Sequence, residues 1–368
     1  MGDMSATPAP DRPRVLDRIG TRSITMTISG FATLGLLLLM LLTPVPYAVQ
    51  GAGPTFDALG ALEETELITV SGAQTYPTSG QLLLTTVTTA GGPGFPVDAG
   101  SVVRGWLDPG RRVLPVEAVI DPDVTAEEQD RLAQQQMSSS QENATVAALT
   151  ALGYDVPAEL TIVGADPQLG ADGIVREGDM LTGIAVGSER TTVTTYQQLA
   201  EVLAATPGGT PVLLEVDRDG ESTDLEIVTT GNGDGGSVLG VFLDAEFSYP
   251  IDVQIQIDNV GGPSAGTMFA LGIIDELTPG EMTGGHVVAG TGTISLEGTV
   301  GPIGGITLKM YAAERDGAEY FLAPAANCGE AVEDIPDGLH VVSVSTLEEA
   351  RDAVEAIGDG QTDGLPSC

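Results

Sequence analysis

Apolar residues follow three different patterns along this 368-residue chain, and each pattern predicts a different kind of element. An uncharged run from Ile24 to Val49 includes seven consecutive large apolar residues at 36–42. At about 1.5 Å per residue this run is long enough to cross the hydrocarbon core of a bilayer. Alternating apolar and polar residues at 253–257 predict a half-buried strand. The nearly unbroken apolar run at 264–277 predicts a buried helix.

The charges around the N-terminal apolar run predict its orientation in a membrane. Four arginines lie between residues 12 and 22, and the next basic residue is Arg104. Because positive charge stays on the cytoplasmic side, residues 1–23 are expected in the cytoplasm and the chain beyond the 24–48 anchor outside it. A cleaved signal peptide is the alternative. It is disfavoured because the apolar run exceeds the usual ~7–15 residues and no Ala-x-Ala site follows it.

The charge balance excludes one class of partner. The chain has 52 acidic and 14 basic residues, a net charge of −38. Nucleic acid is not expected to bind, since its phosphates require clustered positive charge.

Cys328 and Cys368 both fall outside the predicted anchor, where a disulfide can persist and would tie the 359–368 tail to the last domain. Two cysteines and two histidines at scattered spacings give no metal signature, and no cofactor is predicted.

The region after the anchor, residues 49–155, combines strands with one long helix. Apolar runs at 66–70 and 81–87 predict strands. A polar helix is predicted over 125–152, because Thr125 followed three positions later by Glu128 forms a capping-box pattern. Its many glutamines and glutamates indicate one solvated face. The sequence assigns this region no role beyond spacing and packing.

A different pattern begins near residue 156. A short strand at 161–163 precedes the segment GIVREGDML at 173–181, and a helix is predicted over 196–205. Two further apolar runs, 211–216 and 223–229, flank an Asp-Gly pair, which is a strong signal for a hairpin.

Residues 156–232 resemble a PDZ domain of the bacterial protease-associated kind, and GIVREGDML carries the resemblance. The resemblance implies that an extended peptide adds as a strand to a sheet edge, often with capture of its C-terminal carboxylate. The carboxylate loop is expected near Glu159–Thr161. A packing module that binds no peptide is the alternative.

The segment GPSAG at 262–266 places Ser264 at the start of the predicted buried helix, directly after a glycine pair. Unpaired N–H groups at a helix start are natural donors to an oxyanion, and those around Gly262–Ser264 are the candidates. Tight packing of helix on sheet is the structural alternative. A phosphate loop is dismissed, because no GxxxxGK[ST] motif occurs in the sequence.

Lys309 is the single lysine, whereas the other 13 basic residues are arginines. Arginine supplies charge equally well but cannot lose a proton near neutral pH, so a unique lysine suggests a need for a neutral amine. Such a base requires burial that lowers its pKa from about 10.4 towards neutrality. One lysine surviving a compositional bias is the alternative. His286 and His340 lie in no motif of Ser–His–Asp chemistry.

Two motifs in order, GPSAG at 262–266 and PIGG at 302–305 followed by Lys309, resemble the signatures of the Lon protease proteolytic domain. The resemblance covers residues 236–358 and implies that Ser264 is the nucleophile and Lys309 the base. It also implies that Thr291 positions the lysine, with Gly262 and Pro263 in supporting roles. The chain departs from the family in having Gly261 where an acid is frequent and Thr307 where a basic residue is frequent.

The complete layout resembles the membrane-anchored, PDZ-containing Lon-like proteases of bacteria. The expected fold is α+β and multidomain: a transmembrane helix, a β-rich and helical segment, a PDZ-like domain, and a Lon-type α/β proteolytic domain. The resemblance implies an ATP-independent serine endopeptidase that cleaves proteins or peptides outside the cytoplasm and forms rings, with hexamers expected. Two alternatives stay open. Tail-specific proteases place a Ser–Lys pair in another fold, and a non-catalytic, anchored PDZ adaptor would use the Lon-like domain as a scaffold.

Overall fold

A computed structural model describes residues 21–62, 65–92, 95–119, 124–233, 235–258 and 260–368. Helices and strands are numbered in chain order. The helices are α1 Thr21–Leu42, α2 Ala99–Leu107, α3 Ala126–Ala151, α4 Tyr196–Ala205, α5 Gly266–Leu277, α6 Ile306–Arg315, α7 Cys328–Ala331 and α8 Leu347–Gly358. The strands before α4 are β1 Pro44–Val45, β2 Tyr47–Asp57, β3 Ala61–Leu62, β4 Thr65–Glu66, β5 Ile68–Ser71, β6 Gln81–Ala90, β7 Val97–Asp98, β8 Arg111–Pro115, β9 Ala158–Ala165, β10 Met180–Val186 and β11 Glu189–Thr192. Those after α4 are β12 Pro211–Arg218, β13 Glu221–Val228, β14 Thr230–Gly231, β15 Ser237–Val238, β16 Val241–Phe247, β17 Asp252–Ile255, β18 Val287–Gly290, β19 Thr293–Ile294, β20 Val300–Gly301, β21 Tyr320–Pro324 and β22 His340–Val344.

The chain divides into two compact units. The first comprises residues 1–50 and 89–123, and the second comprises 51–88 and 124–368. In the first unit, α1 contains the apolar stretch Ser23–Leu42, which by length and composition is either a membrane span or a signal sequence. Helix α2 packs against α1, and β1 pairs with β7 in antiparallel orientation. The predicted tail at 1–20 lies outside the described residues.

The second unit is built on a mixed sheet whose strand order includes β22-β21-β18-β6-β2. Strands β6, β18, β21 and β22 run parallel to one another. Three helices, α3, α5 and α8, pack around one apolar core with the sheet, and Phe269 of α5 is fully buried there. The sequence correctly predicts α5 as a buried helix, although the helix begins at Gly266, two residues after Ser264.

The sequence predicts strand β6 at 81–87 but not its place in this sheet beside β18. Its Gln81 pairs with Val287 of β18, and Thr85 Oγ1 donates to the Gly290 carbonyl from a position 205 residues away. Part of the 49–155 region therefore belongs to the same sheet as the segment predicted to be proteolytic. The predicted domain boundaries stay predictions, because the structure divides the chain along a different line.

Residues 158–247 form a separate sheet within the second unit, with the order β13-β12-β10-β9-β16. Helix α4 begins at a complete capping box between Thr195 and Gln198, and its bounds agree with the prediction. The Asp-Gly hairpin is also confirmed: Asp219 and Gly220 have φ of +55° and +85°, which suits a tight two-residue turn between β12 and β13. Leu160, Ile184 and Leu214 lie at the centre of this module's own core.

The C-terminal tail is tied to the second unit by a disulfide between Cys328 and Cys368. Backbone pairing supports it, since Ser343 N–H donates to the Pro366 carbonyl at 2.8 Å. The sequence identified this bond as possible and correctly placed its effect on the tail.

Candidate active site

Ser264 lies in the turn that leads into α5, and two backbone contacts fix it there. Its carbonyl accepts hydrogen bonds from the Gly292 N–H and the Thr291 hydroxyl, both at 2.9 Å. Gly292 is required at this close approach, because a Cβ there would lie 2.4 Å from Thr267 Oγ1. The loop after β18 therefore determines where the Ser264 side chain points.

Lys309 approaches from the first turns of α6. That helix begins after Gly305, whose φ of +70° favours glycine, and Lys309 N–H donates to the Gly305 carbonyl at 3.1 Å. The amine donates to Ser264 Oγ at 2.7 Å and to Thr291 Oγ1 at 2.8 Å. The structure thus brings together three side chains that the sequence singles out from three separate segments.

Burial decides the charge state of the amine. Lys309 is 3% exposed, and this burial lowers the pKa of its amine from 10.5 to about 7. Within the part of the chain that the structure describes, no carboxylate forms an ion pair with Lys309 to oppose the effect. A large share of the amine is therefore neutral near physiological pH and able to accept a proton.

A cleft of about 540 Å³ opens onto this pair. Ser264, Lys309 and Gly304 line one part of it. The rest of the lining mixes apolar side chains, among them Phe56, Met137 and Val260, with Asp258 and three threonines of β6. A cleft of this mixed lining can hold an extended chain whose reacting carbonyl reaches the hydroxyl.

Helix α3 also contacts the loop that carries Ser264, which sequence reasoning missed. The Ala133 carbonyl accepts from the Gly262 N–H, and Ser140 Oγ donates to the Pro263 carbonyl, both at 3.0 Å. The available signal was the spacing of Met137, Ser140 and Ala144, which places a buried serine on one face with two apolar residues. The composition of the helix indicated one solvated face but not the buried contact with the Ser264 loop.

These contacts narrow the set of oxyanion donors expected from Gly262–Ser264. Pro263 has no N–H, and the Gly262 N–H is engaged by α3. Of the segment's two N–H groups, only that of Ser264 makes no hydrogen bond to another described residue. In this conformation the Ser264 N–H is the one donor that the segment presents to a substrate oxygen.

The histidines lie together elsewhere. His286 and His340 both contact the ring of Tyr320, and His286 Nδ1 lies 3.0 Å from a carboxylate oxygen of Glu319. The hydroxyl of Ser264 instead contacts Lys309. This arrangement gives no support to a Ser–His–Asp triad at Ser264.

Replacing Thr291 with valine tests its role in holding the amine. Valine keeps the buried shape but removes the oxygen that contacts Lys309 Nζ and donates to the Ser264 carbonyl. We expect kcat of a reaction that begins with attack by the Ser264 hydroxyl to fall roughly 10- to 100-fold, the effect of losing one positioning hydrogen bond. Thr291→Ser keeps the hydroxyl and should retain most of the activity. A wild-type rate and pH profile in Thr291→Val would contradict the role.

One segment of the chain, which contains the three side chains described above, matches a known protein family. Residues 252–356 match the Lon protease (S16) C-terminal proteolytic domain, a range that includes Ser264, Thr291 and Lys309. Serine-type endopeptidase is the enzyme class that homologues of this domain indicate.

Individual relatives match over the same part of the chain or somewhat more. Lon protease 2 of Bacillus subtilis is 36% identical over 110 residues, which cover 28% of this chain and 19% of that protein. Lon protease of Phenylobacterium zucineum is 31% identical over 220 residues, covering 57% and 27% respectively. Lon protease 2 of Sorangium cellulosum is 40% identical over 116 residues, covering 29% and 14%. The chain thus spans about a quarter or less of the length of these relatives.

Solved structures similar to this chain include PDZ domains from Listeria. The PDZ domain of an SdrC-like protein from Listeria innocua has a TM-score of 0.21 and 17% identity, covering 23% of this chain and 92% of that one. Its counterpart from Listeria monocytogenes has a TM-score of 0.20 and 16% identity, covering 23% and 85%.

Proposed function

We propose that this protein is a membrane-anchored serine endopeptidase that uses Ser264 as nucleophile and Lys309 as base, without ATP. The observation that carries the proposal is the 2.7 Å contact between Ser264 Oγ and a buried amine whose pKa is lowered to about 7. A serine hydroxyl attacks a peptide carbonyl only when a neighbouring base removes its proton. The match to a Lon-type proteolytic domain supports the same assignment.

The proposed reaction moves one proton in two steps. Neutral Lys309 takes the hydroxyl proton as Ser264 Oγ bonds to the substrate carbonyl carbon, and the carbonyl oxygen becomes an oxyanion. The ammonium then protonates the leaving amine as the peptide C–N bond breaks, which leaves an ester on Ser264. Water, deprotonated by the same amine, hydrolyses that ester. Thr291 holds the amine between these steps, and the Ser264 N–H is positioned to stabilise the oxyanion.

The cellular setting is part of the proposal. Helix α1 is proposed to span the cell membrane once, with the N-terminus in the cytoplasm and the catalytic unit outside it, as the arginines before the apolar stretch favour. Independence from ATP is proposed from the resemblance of the layout to the anchored, PDZ-containing Lon-like proteases. Ring-shaped homo-oligomers, with hexamers expected, are proposed from the Lon resemblance.

The module at 158–247 is proposed to bind peptide segments of substrates. A cavity of about 680 Å³ lies between α4 and the segment Ser237–Leu243, with Leu199, Leu203 and Leu239 in its walls. Strand β16 is the edge strand beside it, so a peptide can extend the sheet there. The loop expected near Glu159–Thr161 lies instead in β9, between β10 and β16, where its backbone is already paired.

Filling this cavity tests the module's role. Ala200 of α4 lines it, so Ala200→Trp is expected to weaken binding of labelled peptides with free carboxyl ends by about tenfold or more, through loss of space. Ala205→Trp lies at the exposed end of the same helix and serves as the matched control. Fluorescence polarisation on the full chain in detergent gives the affinities. Equal affinities for both variants would place the peptide site elsewhere.

Cleavage of an unfolded protein such as casein by the full chain in detergent, without nucleotide, tests the proposed activity. Fragments are expected from the wild type and not from Ser264→Ala. Peptide binding without cleavage by any form would favour the adaptor alternative.

A further inference from the structure

Helix α2 of the first unit has two apolar faces, and only one of them is covered. Val102 is buried with Val49 and Val97, and Gly105 lies close against Val113. The other face presents Val103, Trp106 and Leu107, which share one side of the helix at positions i, i+3 and i+4. Trp106 is 65% exposed and Leu107 81%.

This exposed face continues into a neighbouring aromatic residue. Tyr47, itself 36% exposed, makes an edge-to-face contact with Trp106, with ring centroids 6.4 Å apart. Trp106 is the chain's single tryptophan, and aromatic residues make up only 4% of the sequence. A cluster of exposed large apolar side chains marks an interaction surface, because water disfavours it. We call Tyr47, Val103, Trp106 and Leu107 the aromatic face.

The position of α2 indicates what covers the aromatic face. Ala99 N–H donates to the Thr43 carbonyl at 3.1 Å, just beyond the end of α1. A Cβ on Gly100 would lie 3.1 Å from Leu41 Cδ2. The aromatic face therefore begins where the apolar stretch of α1 stops. Tryptophan and tyrosine concentrate at this level of membrane proteins, since their rings suit the headgroup region.

Charge around α2 fits the same partner. Arg104, Arg111 and Arg112 fall within nine residues, in a chain whose net charge is −38. Three of the ten basic residues beyond the anchor are therefore concentrated here. Asp98, Asp108 and Glu117 balance them, and Arg111 is ion-paired with Asp108 at 3.2 Å, so this stretch is near neutral in an otherwise acidic chain. Arginine side chains next to a membrane span favour anionic phosphates of the headgroups. The acidic remainder of the chain is repelled by such a surface.

We propose that α2 lies in the outer headgroup layer of the bilayer, with the aromatic face inserted and Arg104 near lipid phosphates. This rests on the proposed anchoring by α1. The first unit is then attached to the membrane at two points, through the spanning helix α1 and the interfacial helix α2. Two attachments restrict how the segment after the anchor can turn about the membrane normal, which a single flexible exit would not.

The single tryptophan allows a direct test in the full chain. The protein is reconstituted into vesicles of phosphatidylcholine and phosphatidylglycerol, and Trp106 emission is recorded with aqueous iodide or with lipids brominated near the headgroup. We expect a blue-shifted emission, protection from iodide, and strong quenching by the brominated lipids. Emission typical of water with full access to iodide overturns the proposal. Protection without lipid quenching would indicate a protein partner and overturns it as well.

A second variant separates this inference from the anchoring. Val103→Ser with Leu107→Ser removes two apolar side chains from the aromatic face and leaves Trp106 as reporter. We expect this variant to float with vesicles as the wild type does, through α1, while Trp106 loses its protection from iodide. Leu132→Ser, at an exposed position of α3, is the matched control and should leave Trp106 protected. If the wild-type protein fails to float with vesicles, both the proposed anchoring and the interfacial position of α2 are contradicted. If it floats but Trp106 is exposed to solvent, only the interfacial position of α2 is contradicted.

Discussion

Ser264→Ala and Lys309→Arg are each expected to lower kcat/KM for peptide cleavage by roughly 10⁴-fold or more. What remains is the low rate that the site supports without its proposed nucleophile or base. The first removes the nucleophile. The second keeps a positive charge in place but supplies no group that can take a proton near neutral pH. Both side chains act on the same proton, so the double variant should lose little more than either single one.

Two controls make the result specific. Ser248→Ala changes an exposed serine in the same unit and should cleave at the wild-type rate. Circular dichroism and thermal melting show whether each inactive variant still folds. Persistent cleavage in a folded Lys309→Arg protein would rule out the amine as base, and persistent cleavage in Ser264→Ala would move the nucleophile elsewhere.

The pH dependence of cleavage is expected to follow the Lys309 amine. Its pKa is lowered to about 7, and only the neutral form can accept the serine proton. The value of kcat/KM should therefore fall about tenfold for each pH unit below 7 and level off above it. Initial rates between about pH 5 and 9, on a peptide without titrating side chains, check this. A profile flat across neutrality would contradict the assignment.

The lowered pKa of Lys309 serves catalysis but costs folding stability. The folded amine titrates near 7 and the unfolded one near 10.4, so between these values the unfolded chain holds the extra proton. Stability is accordingly expected to rise with pH across that window, and the buried amine costs on the order of 4 kcal/mol at pH 7. Lys309→Met should remove much of this cost, giving a protein that melts at a higher temperature at pH 7 while it cleaves nothing.

Local patterns predicted the elements that local chemistry determines. The capping box at Thr195 and Gln198 specifies the start of α4, and Thr125 caps α3 through a 3.2 Å bond from the Glu128 N–H. The Asp-Gly pair after β12 requires positive φ and so predicts the hairpin. Each of these signals lies within four residues, where sequence and structure are directly linked.

Contacts between distant segments were not predictable in the same way. Nothing near Gln81 indicates that its strand pairs with Val287, since apolar strands of similar length are interchangeable at this level. The contact of Ala133 with the Gly262 N–H involves only backbone atoms and therefore leaves no trace in residue identity. For Ser264, Thr291 and Lys309 the motifs supplied the residues, but the distances and the burial of the amine come from the fold.

Ala158 and Phe247 are direct partners in the pairing of β9 with β16, so the chain enters and leaves the 158–247 module at nearly one point. Neighbouring antiparallel strands place such partners only about 5 Å apart. A module joined in this way can be excised and replaced by a short turn without separating β6 from β18, as insertions with adjacent ends generally allow. The sheet that contains β6 and β18 and the 158–247 module are therefore separable parts. Under the proposed function, a lineage could replace the module proposed to select substrates while keeping the proposed catalytic residues.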